Sequence, residues 1–414
     1  MRGVSTVPRL SAMMFLEYFV WGAWYATGGL AMTKYGLSSI IGLTYSLAAL
    51  SAIIAPFFLG MVADRFFSSQ KVLGVLHLIG GVLLFLIPAQ LKSGNSSLFL
   101  LVIFLYMLCF MPTLALTNNV AFHHVKDSAK EFPIIRVFGT IGWIVAGIGI
   151  GQLGYSDNTI IFTIAGVGSI LLGLYSFVLP HTPAPAKGKP LSMRDLLCLD
   201  ALKLFKRWNF AVFMICALLI CIPLAAYYSF TSPFLGAIGF KNVGTIMTIG
   251  QMLEVIFMLM IPFLFVRLGV KYMLLLGMLA WAVRYALFAI GAPTGIIALV
   301  FIGIAIHGVC YDFFMVTGSI YAEKQAGEHV KAQAQSLFVL FTQGIGMFFG
   351  SLIAGNIFNS TVTKTGSAAL QQWQSFWLIP AGIALVIAVL FFVAFRNRGK
   401  DAILDADGTQ VIVE

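Results

Sequence analysis

The sequence predicts an all-α membrane protein, with twelve transmembrane helices in two six-helix bundles. Three observations support this fold class: the composition, the recurrence of long apolar runs, and the position of one polar segment between them. Of the 414 residues, 60% are hydrophobic and only 10% are charged. Soluble domains carry about 25% charged residues, so this chain has too few charges to cover the surface of a soluble protein.

Apolar runs recur along the whole chain, and each is long enough to cross a bilayer. A transmembrane helix needs about 20 residues, because each residue adds about 1.5 Å and the hydrocarbon core is about 30 Å thick. The runs lie near 10–33, 40–63, 71–91, 97–121, 136–155, 158–180, 209–236, 243–266, 271–291, 294–320, 333–359 and 374–396.

Lys and Arg are distributed unevenly between the two ends of these runs. If the N-terminus is placed in the cytoplasm, most of the 25 basic residues fall at cytoplasmic ends, and the outer loops hold only Lys34, Lys92, Lys241 and Lys364. Cytoplasmic loops are enriched in basic residues, so both termini are predicted to be cytoplasmic. The net charge of +10 is therefore explained by basic residues spread over the cytoplasmic ends of the helices. Because they do not form one basic patch, nucleic acid is not expected as a partner.

A polar segment, 181–208, follows the sixth run and precedes the seventh. It is rich in proline at its start and carries six basic residues. We therefore predict an N-terminal bundle over 1–180, a cytoplasmic linker over 181–208, a C-terminal bundle over 209–396 and a cytoplasmic tail over 397–414. Related halves around a midplane site are typical of secondary transporters.

A short motif lies between the second and third runs. Residues 60–65 read GMVADR, which resembles the signature G-x-x-x-D-R-x-x-x-x-(K/R) of major facilitator transporters, with Lys71 one position beyond the basic residue of the signature. The glycine permits close helix approach, and Asp64 and Arg65 can form ion pairs that hold one conformation, as gating residues. The alternative interpretation is an ordinary short loop with positive-inside charges.

Polar residues within the fifth run form a candidate binding face. Arg136, Thr140 and Trp143 are spaced i, i+4 and i+7, so they share one side of a helix. A guanidinium, a hydroxyl and an indole together can bind a planar polar ring by hydrogen bonds and stacking. The alternative for Arg136 is an interfacial arginine whose charge reaches toward the cytoplasm.

The eighth and tenth runs contain carboxylates at membrane depth. Gln251 and Glu254 offer an amide and a carboxylate at i and i+3, which suits sugar hydroxyls, although a helix–helix hydrogen bond is the alternative. Asp312 lies beside His307 and Tyr311. Burial disfavours its charged form and a nearby cation favours it, so Asp312 is a candidate proton carrier; the alternative is a static partner for Arg284.

Three further polar residues lie within apolar runs. Arg284 is predicted to have a structural role, pairing with Asp312 or Glu254. Glu17 is consistent both with lining a cavity, together with Trp21, and with helix packing. His77 is expected to be a packing histidine. The sequence contains no glycine-rich phosphate motif and no cluster with strong metal-ligand spacing, so no cofactor is predicted.

Over nearly its whole length the chain resembles the nucleoside:proton symporter family, the bacterial nucleoside permeases of the major facilitator superfamily. The more specific matching stretches are MPTLALTN at 111–118, FPIIR at 132–136, GTIG at 139–142, LDA at 199–201 and YDFF at 311–314. The family residues implicated in substrate binding or proton coupling match Arg136, Thr140, Gln251, Glu254 and Asp312.

The chain departs from the family pattern at five positions. Trp143 and Tyr311 stand where the family has phenylalanine, and His307 stands where it has tyrosine. Ala225 and Tyr228 replace amides on the seventh helix. Because amides read a base or ribose by hydrogen bonds, the range of substrates is left open.

The resemblance implies proton-coupled nucleoside uptake by alternating access, in the inner membrane of a bacterium. We expect a monomer that uses the proton gradient and no cofactor, with Asp312 and Glu254 coupling protons. The residues expected to contact substrate are Arg136, Thr140, Trp143, Tyr228, Gln251, Glu254, His307 and Tyr311. The alternative is a sugar or oligosaccharide symporter of the same fold, and a membrane enzyme or sensor is a remote one.

Overall fold

A computed structural model of the protein describes residues 6–59, 64–184, 194, 198–327 and 330–396. Helices dominate these residues, and no strand occurs among them. The α-helices are α1 Thr6–Gly22, α2 Gly28–Lys34, α3 Ile41–Phe58, α4 Asp64–Phe66, α5 Ser69–Ser93, α6 Ser96–His124, α7 Ser128–Gln152, α8 Ile160–Ser176, α9 Trp208–Ile238, α10 Val243–Thr294, α11 Ile297–Ala305, α12 His307–Tyr311, α13 Thr317–Gln325, α14 Lys331–Val339, α15 Met347–Thr361 and α16 Leu370–Ala394. Shorter segments are the 3₁₀ turns Ser38–Ile40, Ala201–Lys206 and Gly366–Ala369 and the π-helical segments Asp312–Val316 and Leu340–Gly346.

The chain divides into two compact units. The first comprises 1–191 and 228–248, and the second comprises 192–227 and 249–414. One division falls between 191 and 192, and the other two fall inside α9 and inside α10. The boundaries of the two predicted bundles, which were placed by counting apolar runs, stay a prediction.

The described helices have the length and composition of membrane spans. Eight of them are long and apolar enough to cross a membrane, and there are nine if the pair Ile297–Ala305 and His307–Gln325, bent by 44°, is one span. The 52-residue α10 is kinked at Gly269, where φ is +68°, a conformation that glycine adopts readily. This kink separates two predicted runs, 243–266 and 271–291. The exact count of twelve stays a prediction.

The first predicted run, 10–33, is interrupted rather than continuous. α1 ends at Gly22, and a turn precedes α2. Within the turn the indole of Trp24 is buried and packs edge-to-face on Tyr106, with ring centroids 5.9 Å apart. The carbonyl of Tyr25 accepts a hydrogen bond from the Tyr45 hydroxyl at 2.5 Å. Aromatic packing and this side-chain bond thus stabilise a break that apolar periodicity does not reveal.

The core of the first unit lies between α1 and the helices α5 to α8. Its buried members include Leu10, Met14, Leu73, Leu116, Ile135 and Leu172. α1 and α7 approach closely, because a Cβ at Gly142 would overlap the backbone carbonyl of Phe15 and a Cβ at Gly22 would lie 3.0 Å from the Cα of Trp143. These glycines therefore set the contact that places α1 side chains against α7.

The described end of the linker, residues 198–208, is anchored within the second unit. The side-chain oxygen of Gln333, on α14, accepts hydrogen bonds from the backbone N–H groups of Asp200 and Ala201 at 3.1 and 3.3 Å. Hydrogen bonds from Arg194 and Lys203 hold the pKa of the Asp200 carboxyl well below its usual range. Linker residues 185–193 and 195–197 and the tail 397–414 lie outside the described residues.

The glycine contact between α1 and α7 yields a stability prediction. Gly142→Ala should lower the melting temperature, because overpacking costs about 1–3 kcal/mol and alanine returns only about 0.5–1 kcal/mol of helix preference. Gly149→Ala on the same helix is the matched control, since its Cβ would meet no atom within 4 Å. Thermal unfolding of the purified variants measures the difference. Equal melting temperatures for the two variants would refute the close-packing argument.

Candidate functional site

Three predicted residues of the first unit are joined by one aromatic cluster. Trp21 packs edge-to-face on Trp143, with centroids 5.5 Å apart at 82°. The ring of Tyr25 lies 5.4 Å from Trp21 and 6.4 Å from Trp143, and 6.0 Å from Tyr228. Tyr25 therefore connects residues that come from α1, α7 and α9.

Arg136 is positioned by a second tyrosine. Its guanidinium carbon lies 4.2 Å from the centroid of the Tyr18 ring, a cation–π geometry. Gly139 makes room for this pair, because a Cβ there would lie 2.7 Å from the Tyr18 ring and 2.9 Å from Nη1 of Arg136. The Tyr18 ring is also 6.0 Å from Trp21, so Arg136 adjoins the aromatic cluster. Thr140, predicted on the same face, is half-buried.

Sequence reasoning missed Tyr18 and Tyr25, although a signal was present. Together with Trp21 they are spaced three and four residues apart, which is the spacing of one helix face. The spacing alone does not separate an aromatic packing stripe from a binding face. Only their contacts with Arg136 and Trp143 on α7 make that distinction.

Glu17 is fully buried within the first unit. One carboxylate oxygen lies 2.8 Å from Nε2 of His77, and the other accepts a hydrogen bond from the Thr113 hydroxyl at 2.7 Å. These contacts join α1 to α5 and α6. They favour the helix-packing interpretation of Glu17 over the cavity-lining one.

In the second unit, Glu254 and His307 meet between α10 and α12. Oε2 of Glu254 lies 3.7 Å from Nε2 of His307. Two glycines permit this approach: a Cβ at Gly308 would lie 2.7 Å from the Cα of Glu254, and a Cβ at Gly250 would lie 3.0 Å from the Cβ of His307. The structure thus brings together two predicted residues that are 53 positions apart in the chain.

His307 belongs to a continuous stack. Its ring is stacked on Tyr227 at 5.0 Å and on Tyr311 at 5.8 Å. The guanidinium of the buried Arg284 lies 4.3 Å from the centroid of Tyr227, and Nε of Arg284 donates to the Gly303 carbonyl at 2.9 Å. Tyr227 was missed, and its predicted neighbour Tyr228 contacts the first unit's aromatic cluster instead. Consecutive helical residues point about 100° apart, which explains their different surroundings.

Asp312 begins the π-helical segment Asp312–Val316 and is fully buried. Neither carboxylate oxygen has a hydrogen-bond partner among the described residues, and this also excludes a hydrogen bond to Arg284. The adjacent Phe313 and Phe314 are buried as well. An ionised, unpaired carboxylate in apolar surroundings is costly, so this environment suits the neutral, protonated form. Single-turn π segments are frequent at functional sites.

The gating and cofactor predictions stay untested by this geometry. Residues 60–63 and the side chain of Asp64 lie outside the described residues, so the predicted ion pairs of Asp64 and Arg65 stay a prediction. Within the described part of the chain, no group of three or more His, Cys, Asp or Glu side chains could hold a metal ion. The expectation of no cofactor remains a prediction too.

Comparison with known proteins decides the family. Residues 4–400 match the family model described as "Nucleoside H+ symporter". The chain belongs to this family. It is 40% identical to the "Putative nucleoside transporter YegT" of Escherichia coli (strain K12), with 96% of each chain covered. It is 33% identical to the xanthosine permease of the same organism, with 95% of this chain and 96% of the relative covered.

A solved structure agrees with this assignment to the nucleoside H+ symporter family. The crystal structure of the nucleoside transporter NupG matches with a TM-score of 0.86 and 30% identity, and covers 95% of this chain and 100% of that one. The predicted major facilitator fold is thereby confirmed. Since the relatives are permeases and transporters, the prediction of a multi-pass membrane transporter rather than an enzyme is confirmed as well.

The contacts of Arg284 predict that this residue stabilises the second unit. Arg284→Ala should cost about 3 kcal/mol or more, because it removes a hydrogen bond from a charged donor and a desolvated cation–π contact. Arg267→Ala is the control: Arg267 lies 4.2 Å from the ring centroid of Phe263 but is exposed, so its loss should cost under about 1 kcal/mol. Thermal unfolding compares the two variants. If Arg284→Ala unfolds no earlier than Arg267→Ala, Arg284 has no such structural role.

Proposed function

We propose that this protein takes up nucleosides together with protons. The observation that carries the proposal is Asp312, a fully buried carboxyl group with no hydrogen-bond partner among the described residues. The chain also belongs to the nucleoside H+ symporter family. A carboxyl group that is stable when neutral here, and ionises once water or a cation reaches it, can carry a proton through a transport cycle.

The base is proposed to bind at the aromatic cluster and the arginine of the first unit. Trp143 offers a ring for stacking, and the guanidinium of Arg136 offers paired donors for base carbonyls. Tyr18 supports this role, because its ring lies beneath the guanidinium and limits the directions in which the guanidinium can point. Thr140, on the same helix face, adds a hydroxyl.

The ribose hydroxyls are proposed to bind Gln251 and Glu254. The side-chain oxygen of Gln251 is buried and has no hydrogen-bond partner among the described residues. A buried, unsatisfied acceptor costs about 1–3 kcal/mol, and a sugar hydroxyl would remove this cost. Glu254 can accept from a second hydroxyl, while His307 and Tyr311 contribute further contacts to the ribose and Tyr228 contributes to the base. Two relatives carry names that refer to nucleosides and to xanthosine. A nucleoside is a base joined to ribose, which agrees with one set of residues for the base and another for the ribose.

Transport is proposed to follow an alternating-access cycle. Asp312 takes a proton from the outer side, the nucleoside binds, and the site then opens to the cytoplasm, where both leave. Glu254 is proposed to take part in the coupling. The proton gradient supplies the energy without a cofactor, the protein acts as a monomer, and both termini lie in the cytoplasm, as the distribution of Lys and Arg indicates.

Uptake into proteoliposomes tests the substrate class. Labelled uridine, xanthosine and other nucleosides are compared with maltose and other sugars, under an imposed pH gradient that is acidic on the outer side. The proposal predicts accumulation of at least one nucleoside and of no sugar. Accumulation of a sugar alone would replace it with the oligosaccharide symporter, and accumulation of neither class would reject it.

Asp312→Asn tests the proton carrier. With one proton coupled to each nucleoside, a gradient of one pH unit supports at most about tenfold accumulation, and the variant should fall to simple equilibration. Exchange of labelled for unlabelled nucleoside, which needs no net proton movement, should persist. Asp157→Asn is the control, because Asp157 forms only a half-exposed ion pair with Lys34 at 2.9 Å. Wild-type accumulation by Asp312→Asn would exclude Asp312 as the carrier.

A further inference from the structure

A second buried carboxyl group, that of Glu17, is linked to a histidine and two hydroxyls at the meeting of four helices. Glu17 of α1 lies 2.8 Å from Nε2 of His77 on α5. Nδ1 of the same ring lies 3.0 Å from the Ser169 hydroxyl on α8. The Thr113 hydroxyl on α6 donates to the other Glu17 oxygen at 2.7 Å. All four side chains are buried, and none is more than 2% exposed.

The position of one hydrogen decides the charge of this group. The Ser169 oxygen lies 2.8 Å from the backbone carbonyl of His77, as well as 3.0 Å from Nδ1. A serine hydroxyl has one hydrogen, so it can donate to only one of these acceptors at a time. Its lone pairs can meanwhile accept a hydrogen bond from Nδ1–H.

If Ser169 donates to the carbonyl, then Nδ1 of His77 must carry a proton to make its contact with Ser169. A further proton lies between Nε2 and the Glu17 carboxylate, on either atom. The pair is then neutral overall, either as imidazole with carboxylic acid or as imidazolium with carboxylate. With the Thr113 hydroxyl donating to Glu17 rather than to the Phe110 carbonyl that it also contacts, the contacts among Glu17, His77 and Ser169 are all satisfied in this arrangement.

If Ser169 instead donates to Nδ1, that nitrogen carries no proton. Nε2–H then donates to the Glu17 carboxylate, and the pair has one proton fewer and a charge of −1. The His77 carbonyl loses only its side-chain donor, since it belongs to the interior of α5. The same heavy-atom positions therefore satisfy both protonation states, and only the hydroxyl hydrogen turns.

We propose that Glu17 and His77 form a second proton-binding site, which takes up or releases one proton by rotation of the Ser169 hydroxyl. The site lies in the first unit, whereas Asp312 lies in the second. Its use in transport rests on the proposed function, because only a proton-driven transporter needs to store a proton there. The existence of the site does not depend on that function.

The other titratable groups around Glu17 are few among the described residues. On α1 the neighbouring phenol is Tyr18, and on α6 the group is Tyr106, which Cys109 in turn approaches. From α7 the guanidinium of Arg136 approaches Tyr18. α5 and α8 contribute His77 and Ser169 themselves. Arg136 is thus linked to Glu17 only through Tyr18, the next residue along α1.

Solid-state nuclear magnetic resonance of the full-length protein in liposomes tests the proposal. The six histidines are labelled with ¹⁵N, and the His77 signals are identified by their loss in His77→Gln. If that variant does not fold, the stronger coupling of Nε2 to ¹³C-labelled glutamate identifies them, because Nε2 of His77 lies 2.8 Å from Glu17 and Nε2 of His307 lies 3.7 Å from Glu254. From about pH 5 to about pH 9, Nδ1 of His77 should change from protonated to unprotonated, and Nε2 should be protonated at the high-pH end. An Nδ1 that keeps one state throughout would overturn the proposal.

Two variants assign the proton to the pair. Glu17→Gln keeps the size of the side chain but removes the ionisable group, so His77 should stay neutral and show no change over the same pH range. Thr113→Val removes a hydroxyl that contacts Glu17 and the backbone carbonyl of Phe110, and the His77 change should persist because Glu17, His77 and Ser169 all remain. A wild-type response in Glu17→Gln, or its loss in Thr113→Val, would contradict the assignment.

This test separates the second site from the proposed function. The resonance measurement needs neither substrate nor a proton gradient. A normal His77 response in a protein that accumulates no nucleoside would reject the proposed function and leave the second site standing. Proton-driven nucleoside accumulation without a His77 response would reject the second site and leave the proposed function standing.

Discussion

The surroundings of the buried charged side chains in this protein depend on the cost of burying a charge in an apolar interior. A charged side chain at membrane depth costs at least a few kcal/mol unless a partner or water offsets it. For Arg284, a hydrogen bond to the Gly303 carbonyl and a cation–π contact with Tyr227 offset this cost. For Glu17, hydrogen bonds with His77 and Thr113 offset it. Asp312 has no hydrogen-bond partner among the described residues, so binding a proton, which neutralises the carboxylate, avoids this cost.

Close helix contacts make these arrangements possible. Gly142 brings α1 against α7, and Gly139 opens the space that Tyr18 and Arg136 share. In the second unit, Gly250 and Gly308 bring Glu254 and His307 within 3.7 Å. Because a side chain at any of these positions would press on a neighbouring helix, small residues do as much to build the candidate sites as the polar residues do.

Much of the fold and part of the site could be predicted from the sequence. Apolar run length located the helices, and helical spacing placed Arg136 and Trp143 on one face, where the aromatic cluster meets them. The pairing of Glu17 with His77 could not be predicted, since 60 residues separate them and only the packing of α1 on α5 brings them together. The interrupted first run and the stack through Tyr227 likewise depend on tertiary contacts that no local pattern encodes.

Proton-coupled nucleoside uptake by this protein is tested most directly by measuring whether protons enter together with the nucleoside. Liposomes containing the protein and an internal pH-sensitive dye are given a nucleoside outside, with no imposed gradient. We expect the interior to acidify as the nucleoside enters, and we expect Asp312→Asn to abolish the acidification while exchange continues. Net nucleoside entry without acidification in the wild-type protein would contradict proton-coupled uptake.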